Sequence, residues 1–139
     1  MNILFDTNVI LDVLLDRKPF SEPASQLLTL VERGEISGII CATTVTTIHY
    51  LSTKVLGENK SQSQIKDLLT LFEIASVNRT VIEEALKSKF SDFEDSVIFQ
   101  AAHHAGAEAI VTRDPKGFKK SKLPVFNPIE LLKILQAIE

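Results

Sequence analysis

Asp6, Asp95 and Asp114 stand at three points where a chain of alternating strands and helices would converge. Asp6 directly follows the apolar run Ile3-Leu4-Phe5, and Asp114 follows Ala109-Ile110-Val111-Thr112. Asp95 opens a helical stretch about twenty residues before Asp114. In an open parallel sheet, ligands bind outside the carboxyl ends of the strands. Carboxylates gathered there repel one another and hold protons unless a cation neutralises them. The pattern points to a metal site made only of oxygen ligands.

Each motif also has a plainer reading. In Asp6-Thr7-Asn8, Asn8 is a good helix cap, and Asp6 is favourable near a helix N-terminus. Yet a charge set directly after a buried strand is costly unless paired or solvated, which favours a functional Asp6. In Ser91-Asp92-Phe93-Glu94-Asp95, Glu94 fits a capping box with Ser91. Asp95 is not needed for that box, and it shares a helix side with Asp92 at i, i+3, which makes Asp92 an auxiliary ligand or support. Thr112-Arg113-Asp114 followed by Pro115-Lys116-Gly117 is ordinary turn chemistry when taken alone. Arg113, Lys116, Lys119, Lys120 and Lys122 form a basic cluster beside Asp114. It reads equally as a solvated loop or as phosphate steering, with Arg113 and Lys116 nearest the site.

Other chemistries fit less well. The five glycines, at 34, 38, 57, 106 and 117, make no phosphate-cradling pattern. A phosphatase with a strand-end aspartate nucleophile wants a second acid two residues on, where this chain has Asn8. His49 is a lone helical histidine and His103-His104 fall far from the acids, so zinc is not expected.

The elements that must position these residues follow from periodicity. Strands are predicted at 2–6, 36–42, 74–77, 109–112 and 124–126. Helices are predicted after Asn8, from Ser21, from Thr43 or Thr44, from Ser61, from Thr80 in a capping box with Glu83, from Ser91, and from Asn127-Pro128. Val45, Ile48, Leu51 and Val55 are expected to face inward on one helix, and Ile65, Leu68, Leu69 and Phe72 on the next. This order argues for a three-layer α/β/α sandwich with a mostly parallel central sheet of about four or five strands. At 139 residues, with no linker or internal repeat, a single domain over 1–139 is expected.

Bulk composition sets outer bounds. The net charge of -3 and pI near 5.6 leave no global basic footprint for nucleic acid, so a polyanion must be attracted locally. Cys41 is the only cysteine, which excludes an internal disulfide and fits a reducing compartment. Asp6 interrupts the N-terminal apolar run, so no secretion signal is expected; no stretch approaches the roughly 18 uninterrupted apolar residues of a membrane span, and a cytoplasmic location is expected.

Taken together, Asp-Thr-Asn after the first strand, Asp95 in Phe-Glu-Asp-Ser-Val-Ile, and Thr-Arg-Asp after a late strand resemble the PIN domain family. The likeness spans the chain and is strongest to small prokaryotic members that include the VapC-like toxins. It implies a Mg²⁺- or Mn²⁺-dependent ribonuclease, with Asp6, Asp95 and Asp114 as metal-binding catalytic carboxylates and Asn8 and Thr112 supporting them by hydrogen bonds. It also implies a homodimer and, for a toxin, a small antitoxin protein as partner. The chain departs from the family at one place: Thr47, or Thr46 beside it, stands where a glutamate is usual. Fewer negative ligands weaken cation binding. The alternative to an enzyme is therefore a non-catalytic module that binds RNA or a protein.

Overall fold

A computed structural model describes residues 1–138 of the chain. Five strands form one sheet: β1 (Asn2–Phe5), β2 (Ser37–Cys41), β3 (Glu73–Ala75), β4 (Ala109–Val111) and β5 (Val125–Phe126). Their order is β3-β2-β1-β4-β5, and all four pairings are parallel. The helices are α1 (Thr7–Leu14), α2 (Ser21–Glu32), α3 (Ala42–Leu56), α4 (Glu58–Leu71), α5 (Arg79–Lys87), α6 (Phe93–His104) and α7 (Pro128–Ala137), with a 3₁₀ turn at Pro115–Phe118. The expected α/β/α sandwich is the observed one. No helix among the described residues is long and apolar enough to cross a membrane.

Strand residues feed two cores in alternation, as side chains a residue apart point to opposite sheet faces. Ile3, Phe5, Ile40 and Val111 pack with α1, α2, α3, α4 and α7, whereas Leu4, Ile39, Cys41 and Ile110 pack with α5 and α6. Both faces are covered, which is why these strands read as unbroken apolar runs. Gly38 serves close packing: a Cβ there would lie 2.5 Å from the Phe72 ring, which meets Phe5 edge-on at 5.2 Å between centroids.

The chain builds β1, β2 and β3 outward in one direction, then returns to lay β4 on the other side of β1. Neighbouring β1 and β4 therefore lead into connections that part in opposite directions. This switch point opens a crevice at the carboxyl edge of the sheet.

Several caps differ from expectation. Asp6, not Asn8, caps α1, and Cys41 occupies the cap position of α3 rather than a threonine. Helix α4 starts at Glu58, so Ser61 lies within its first turn, where its buried hydroxyl donates to the His49 carbonyl. Asn78 caps α5 in place of Thr80, accepting from the Val81 N–H at 3.0 Å. Asp92 caps α6 in place of Ser91, which releases Glu94 from the expected box. Asn127 caps α7 as expected, and with Glu130 it forms a full capping box. Asn8 gives way to Asp6, Thr43 or Thr44 to Cys41, and Thr80 to Asn78, each two or three positions earlier, whereas Ser91 gives way to Asp92 one position later; where the preceding strand or loop stops decides which residue holds the extended cap conformation.

Two core expectations also fail: Val55 is 64% exposed and Leu69 54% exposed. The buried stripe of α3 runs through Thr44, Ile48 and Ser52, and that of α4 through Ser61 and Leu68. Ser52 donates to Gln64 at 2.7 Å between these helices, a polar contact that hydrophobic periodicity cannot reveal.

Candidate active site

Asp6 leaves β1 at the switch point with its backbone still paired, its N–H donating to the Val111 carbonyl at 2.9 Å. Its two carboxylate oxygens are both engaged: Oδ1 accepts from the Thr7 N–H and Oδ2 from the Thr112 hydroxyl, each at 2.8 Å. Thr112 Oγ1 in turn accepts from the Asp114 N–H at 3.2 Å. Asn8 bridges the same two segments, its Oδ1 accepting from the Arg113 N–H at 3.1 Å and its amide donating to Thr112 Oγ1 at 3.4 Å. The ends of β1 and β4 are thus tied into one rigid unit. Asn8 and Thr112 are the two side chains that make this tie.

Across the crevice stands the first turn of α6. Asp92 Oδ1 accepts from the Asp95 N–H at 3.0 Å, so the cap itself fixes the backbone beneath Asp95. A cavity of about 330 Å³ lies between, with Asp6, Asp92, Glu94 and Asp95 on its acidic wall and Arg17 and Arg113 on the other side. Gly117 closes in from the 3₁₀ turn; a Cβ there would come within 2.7 Å of Asp95 Oδ2. Sequence reading assigned that glycine to turn chemistry, but its lack of a side chain is what admits the carboxylate.

The electrostatics are those of crowded acids in a half-closed space. Burial pushes the Asp95 carboxyl up to about 7, and the charges of Asp6, Asp92, Glu94 and Asp114 add to the rise. Burial also pushes Asp6 upward against the hydrogen bonds from Thr112 and Thr7, with Glu94 and Asp114 again adding to the rise. Asp114 itself is exposed and off the cavity wall, so it acts on the two inner acids through space. Lys116 is exposed and off that wall as well.

Arg113 lines the cavity, as its assignment to substrate binding requires, but its charge is already partnered. Its guanidinium lies over the Phe20 ring at 4.2 Å and 3.6 Å from Asp12 Oδ1. Arg17 Nε lies 2.8 Å from the same Asp12 oxygen, an ion-pair distance at which the N–H is not aimed for a hydrogen bond. Asp12 is only 1% exposed. One buried acid therefore holds two arginines at the cavity mouth. Asp12 and Arg17 were not singled out from the sequence, and Glu94 was assigned to a helix cap rather than to the site. The available signal was Asp12 itself, an acid in the middle of the apolar run of α1.

The residues present suit a hard divalent cation: every donor on the acidic wall is oxygen, and the carboxylates hold unrelieved like charge. As they stand, the side chains are spread around the cavity, and among the described residues no group of three His, Cys, Asp or Glu is placed to clasp an ion. Thr47 is half-buried and donates its hydroxyl to the Thr43 carbonyl at 3.2 Å, and it is not on the cavity wall. Glu94 is on that wall. This predicts that Glu94→Gln will weaken Mn²⁺ binding by roughly tenfold or more, as losing a supporting group at a metal site usually does. Calorimetric titration checks it; an unchanged affinity would show that Glu94 does not stand in for the absent glutamate.

Comparison with known proteins gives the family and the fold. The sequence model of the PIN domain matches residues 2–116. Ribonuclease VapC1 of Aquifex aeolicus is 23% identical over 133 residues, covering 92% of this chain and 91% of that protein. Among solved structures, a toxin–antitoxin complex from Klebsiella pneumoniae superposes with a TM-score of 0.67 at 24% identity, covering 91% of this chain and 97% of that one. DNA-bound VapBC from Salmonella typhimurium superposes at 0.70 with 14% identity, covering 92% and 98% respectively.

Proposed function

The chain belongs to the PIN domain family, and from that premise we propose that it is a divalent-metal-dependent ribonuclease, the toxin of a toxin–antitoxin pair. The observation that carries this reading is the cavity at the β1/β4 switch point, lined by Asp6, Asp92, Glu94 and Asp95 together with Arg17 and Arg113. The relative named a ribonuclease and the relatives solved as toxin–antitoxin assemblies support the substrate class and a small protein partner. A homodimer and a cytoplasmic location belong to the same proposal.

In this reading Asp6 and Asp95 hold Mg²⁺ or Mn²⁺, with Asp114, Asp92 and Glu94 adding charge around them. A cation held there would supply Lewis-acid polarisation of a phosphate and a more acidic bound water. The chain's own residues do the rest. Thr112, Thr7 and Asn8 fix Asp6, so no side-chain entropy is lost when it takes a ligand. The Asp92 cap and the missing side chain at Gly117 fix Asp95 from two sides. Arg17 and Arg113, held by Asp12, set positive charge at the mouth where the phosphate backbone of RNA must pass.

The purified protein is expected to cleave RNA with Mn²⁺ or Mg²⁺ and to stop when a chelator is added. The competing reading, a binding module without catalysis, draws on the lack of any acid from α3 on the cavity wall. It prevails if the protein binds RNA or a partner protein yet cleaves none of a broad RNA panel at any metal concentration.

A further inference from the structure

The acidic site raises a difficulty for its own substrate. RNA is a polyanion, the chain carries a net charge of -3, and the cavity that would cut the strand is walled by carboxylates. Most of the affinity of proteins for nucleic acid comes from cations that neutralise phosphates. Arg17 and Arg113 are partly spent on Asp12. Further cations are therefore needed to hold the strand.

A larger cavity, of about 570 Å³, lies farther along α6. Lys87 and Lys89, from the end of α5 and the segment after it, and Lys120 and Lys122, from the loop before β5, all line it. The only acid on its wall is Glu84, whose carboxylate is taken by His104 at 2.8 Å. The floor is aromatic: Phe90 stacks on Phe99 at 5.4 Å, and Phe99 on His103 at 6.2 Å. Four lysines over stacked rings in a net acidic chain form a local basic site. It was not visible in sequence, because Lys87 and Lys89 are about thirty residues from Lys120 and Lys122.

The two cavities lie along the same helix, the acidic one at the first turn of α6 and the basic one farther on. Asp95, Phe99 and His103 recur at i, i+4 and i+8 on one side of α6, so the basic cavity begins about 6 Å and ends about 12 Å along the axis from Asp95. The 3₁₀ turn touches one residue of each lining: Gly117 lies against Asp95, and buried Phe118 meets Phe90 edge-on. At about 3.4 Å of rise per nucleotide, that distance is covered by about two to four nucleotides.

We propose that this lysine-lined cavity is a second RNA-binding site, which grips the phosphates of a single strand a few nucleotides from the scissile bond while bases pack on the aromatic floor. The inference rests on the ribonuclease reading, since it supplies the strand that the acidic cavity alone repels. An acidic peptide would satisfy the lysines but would leave the aromatic floor without a planar partner, so RNA is the better fit.

The test separates binding from cleavage. Fluorescence anisotropy with a labelled 12-nucleotide single-stranded RNA is run in chelator, so that no cation assists binding at the acidic site. Lys120→Glu/Lys122→Glu and Lys87→Glu/Lys89→Glu are each expected to weaken binding by at least about tenfold. Each should also lower the slope of log K against log salt by about 1.4, from about 0.7 per lost phosphate contact on a single strand. Because all four lysines are exposed, circular dichroism is expected to match that of the wild type. Unchanged affinity and slope in both variants would overturn the proposal. So would equal competition by a poly-glutamate peptide of the same charge, which would reassign the cavity to an acidic protein partner. Wild-type cleavage in Mn²⁺ is measured alongside. If it is absent while lysine-dependent RNA binding persists, the ribonuclease reading fails and this site stands; if cleavage is present while the lysine variants bind normally, the reverse holds.

Discussion

Replacing Asp95 with asparagine is expected to lower metal-dependent RNA cleavage by at least about a hundredfold and, in metal-free protein at pH 8, to raise the melting temperature by several degrees. The first effect follows from charge: the amide keeps the shape of the carboxylate but not its hold on a cation, and even supporting residues at metal sites cost tenfold to a hundredfold when lost. The second follows from linkage. Burial, and then the charges of Asp6, Asp92, Glu94 and Asp114, push the Asp95 carboxyl up to about 7 in the folded state. The unfolded value is about 3.9. Between those two values the folded protein binds the extra proton, so its stability falls as pH rises from about 4 to 7 and stays lowered above. Asp95 is part-exposed, and screening reduces the cost to about 1–2 kcal/mol. That corresponds to roughly 3–6 °C for a domain of this size. Thermal melts of both proteins in chelator at pH 5 and pH 8 check the prediction. It fails if wild-type stability is flat across that range, or if the variant melts lower at pH 8. Adding Mn²⁺ should then stabilise the wild type and not the variant, since only a state that binds the ion gains from it.

Removing both arginines from Asp12 should damage the fold far more than removing Asp12 from the arginines. Asp12 is 1% exposed, whereas the side chains of Arg17 and Arg113 are 37% and 33% exposed. Arg17→Ala/Arg113→Ala strands a charge that cannot reach water, at a cost of about 3–5 kcal/mol. A drop of more than about 10 °C in melting temperature is expected. Asp12→Leu instead places an apolar side chain on the buried side of α1 and frees two arginines that can turn outward, costing about 1 kcal/mol or less. Denaturant unfolding of the two variants measures the asymmetry. Equal losses would mean that the arginines are as sequestered as the acid they flank.

The sandwich was legible because parallel strands covered on both faces are apolar throughout, and Ile3-Leu4-Phe5, Gly38-Ile39-Ile40-Cys41 and Ala109-Ile110-Val111 carry that signature plainly. Alternating strands and helices then restrict the sheet to parallel pairing, and parallel pairing puts every strand-end residue on one edge. From this the sequence alone determined that Asp6 and the Thr112–Asp114 segment share an edge with the N-terminus of α6. It also determined the Asn127–Glu130 cap, whose partners are three residues apart and depend on nothing distant.

Only the tertiary structure decided what depends on residues far apart in the chain. The cap positions of α1, α3, α5 and α6 moved by one to three residues, because the end of the preceding strand or loop, not local propensity, sets where the helix begins. Glu94 reached the cavity wall once Asp92 took over the cap, and Asp114 fell outside it. Asp12 gained two arginines, one from the loop after its own helix and one from the end of β4, a hundred residues on. Gly117 proved to be the space beside Asp95. The four lysines of the second cavity come from segments about thirty residues apart, and only the packing of α5 and the 3₁₀ turn against α6 brings them together. Periodicity records which face of an element is buried; it carries no record of which charge stands opposite, and the chemistry of both cavities lies in those pairings.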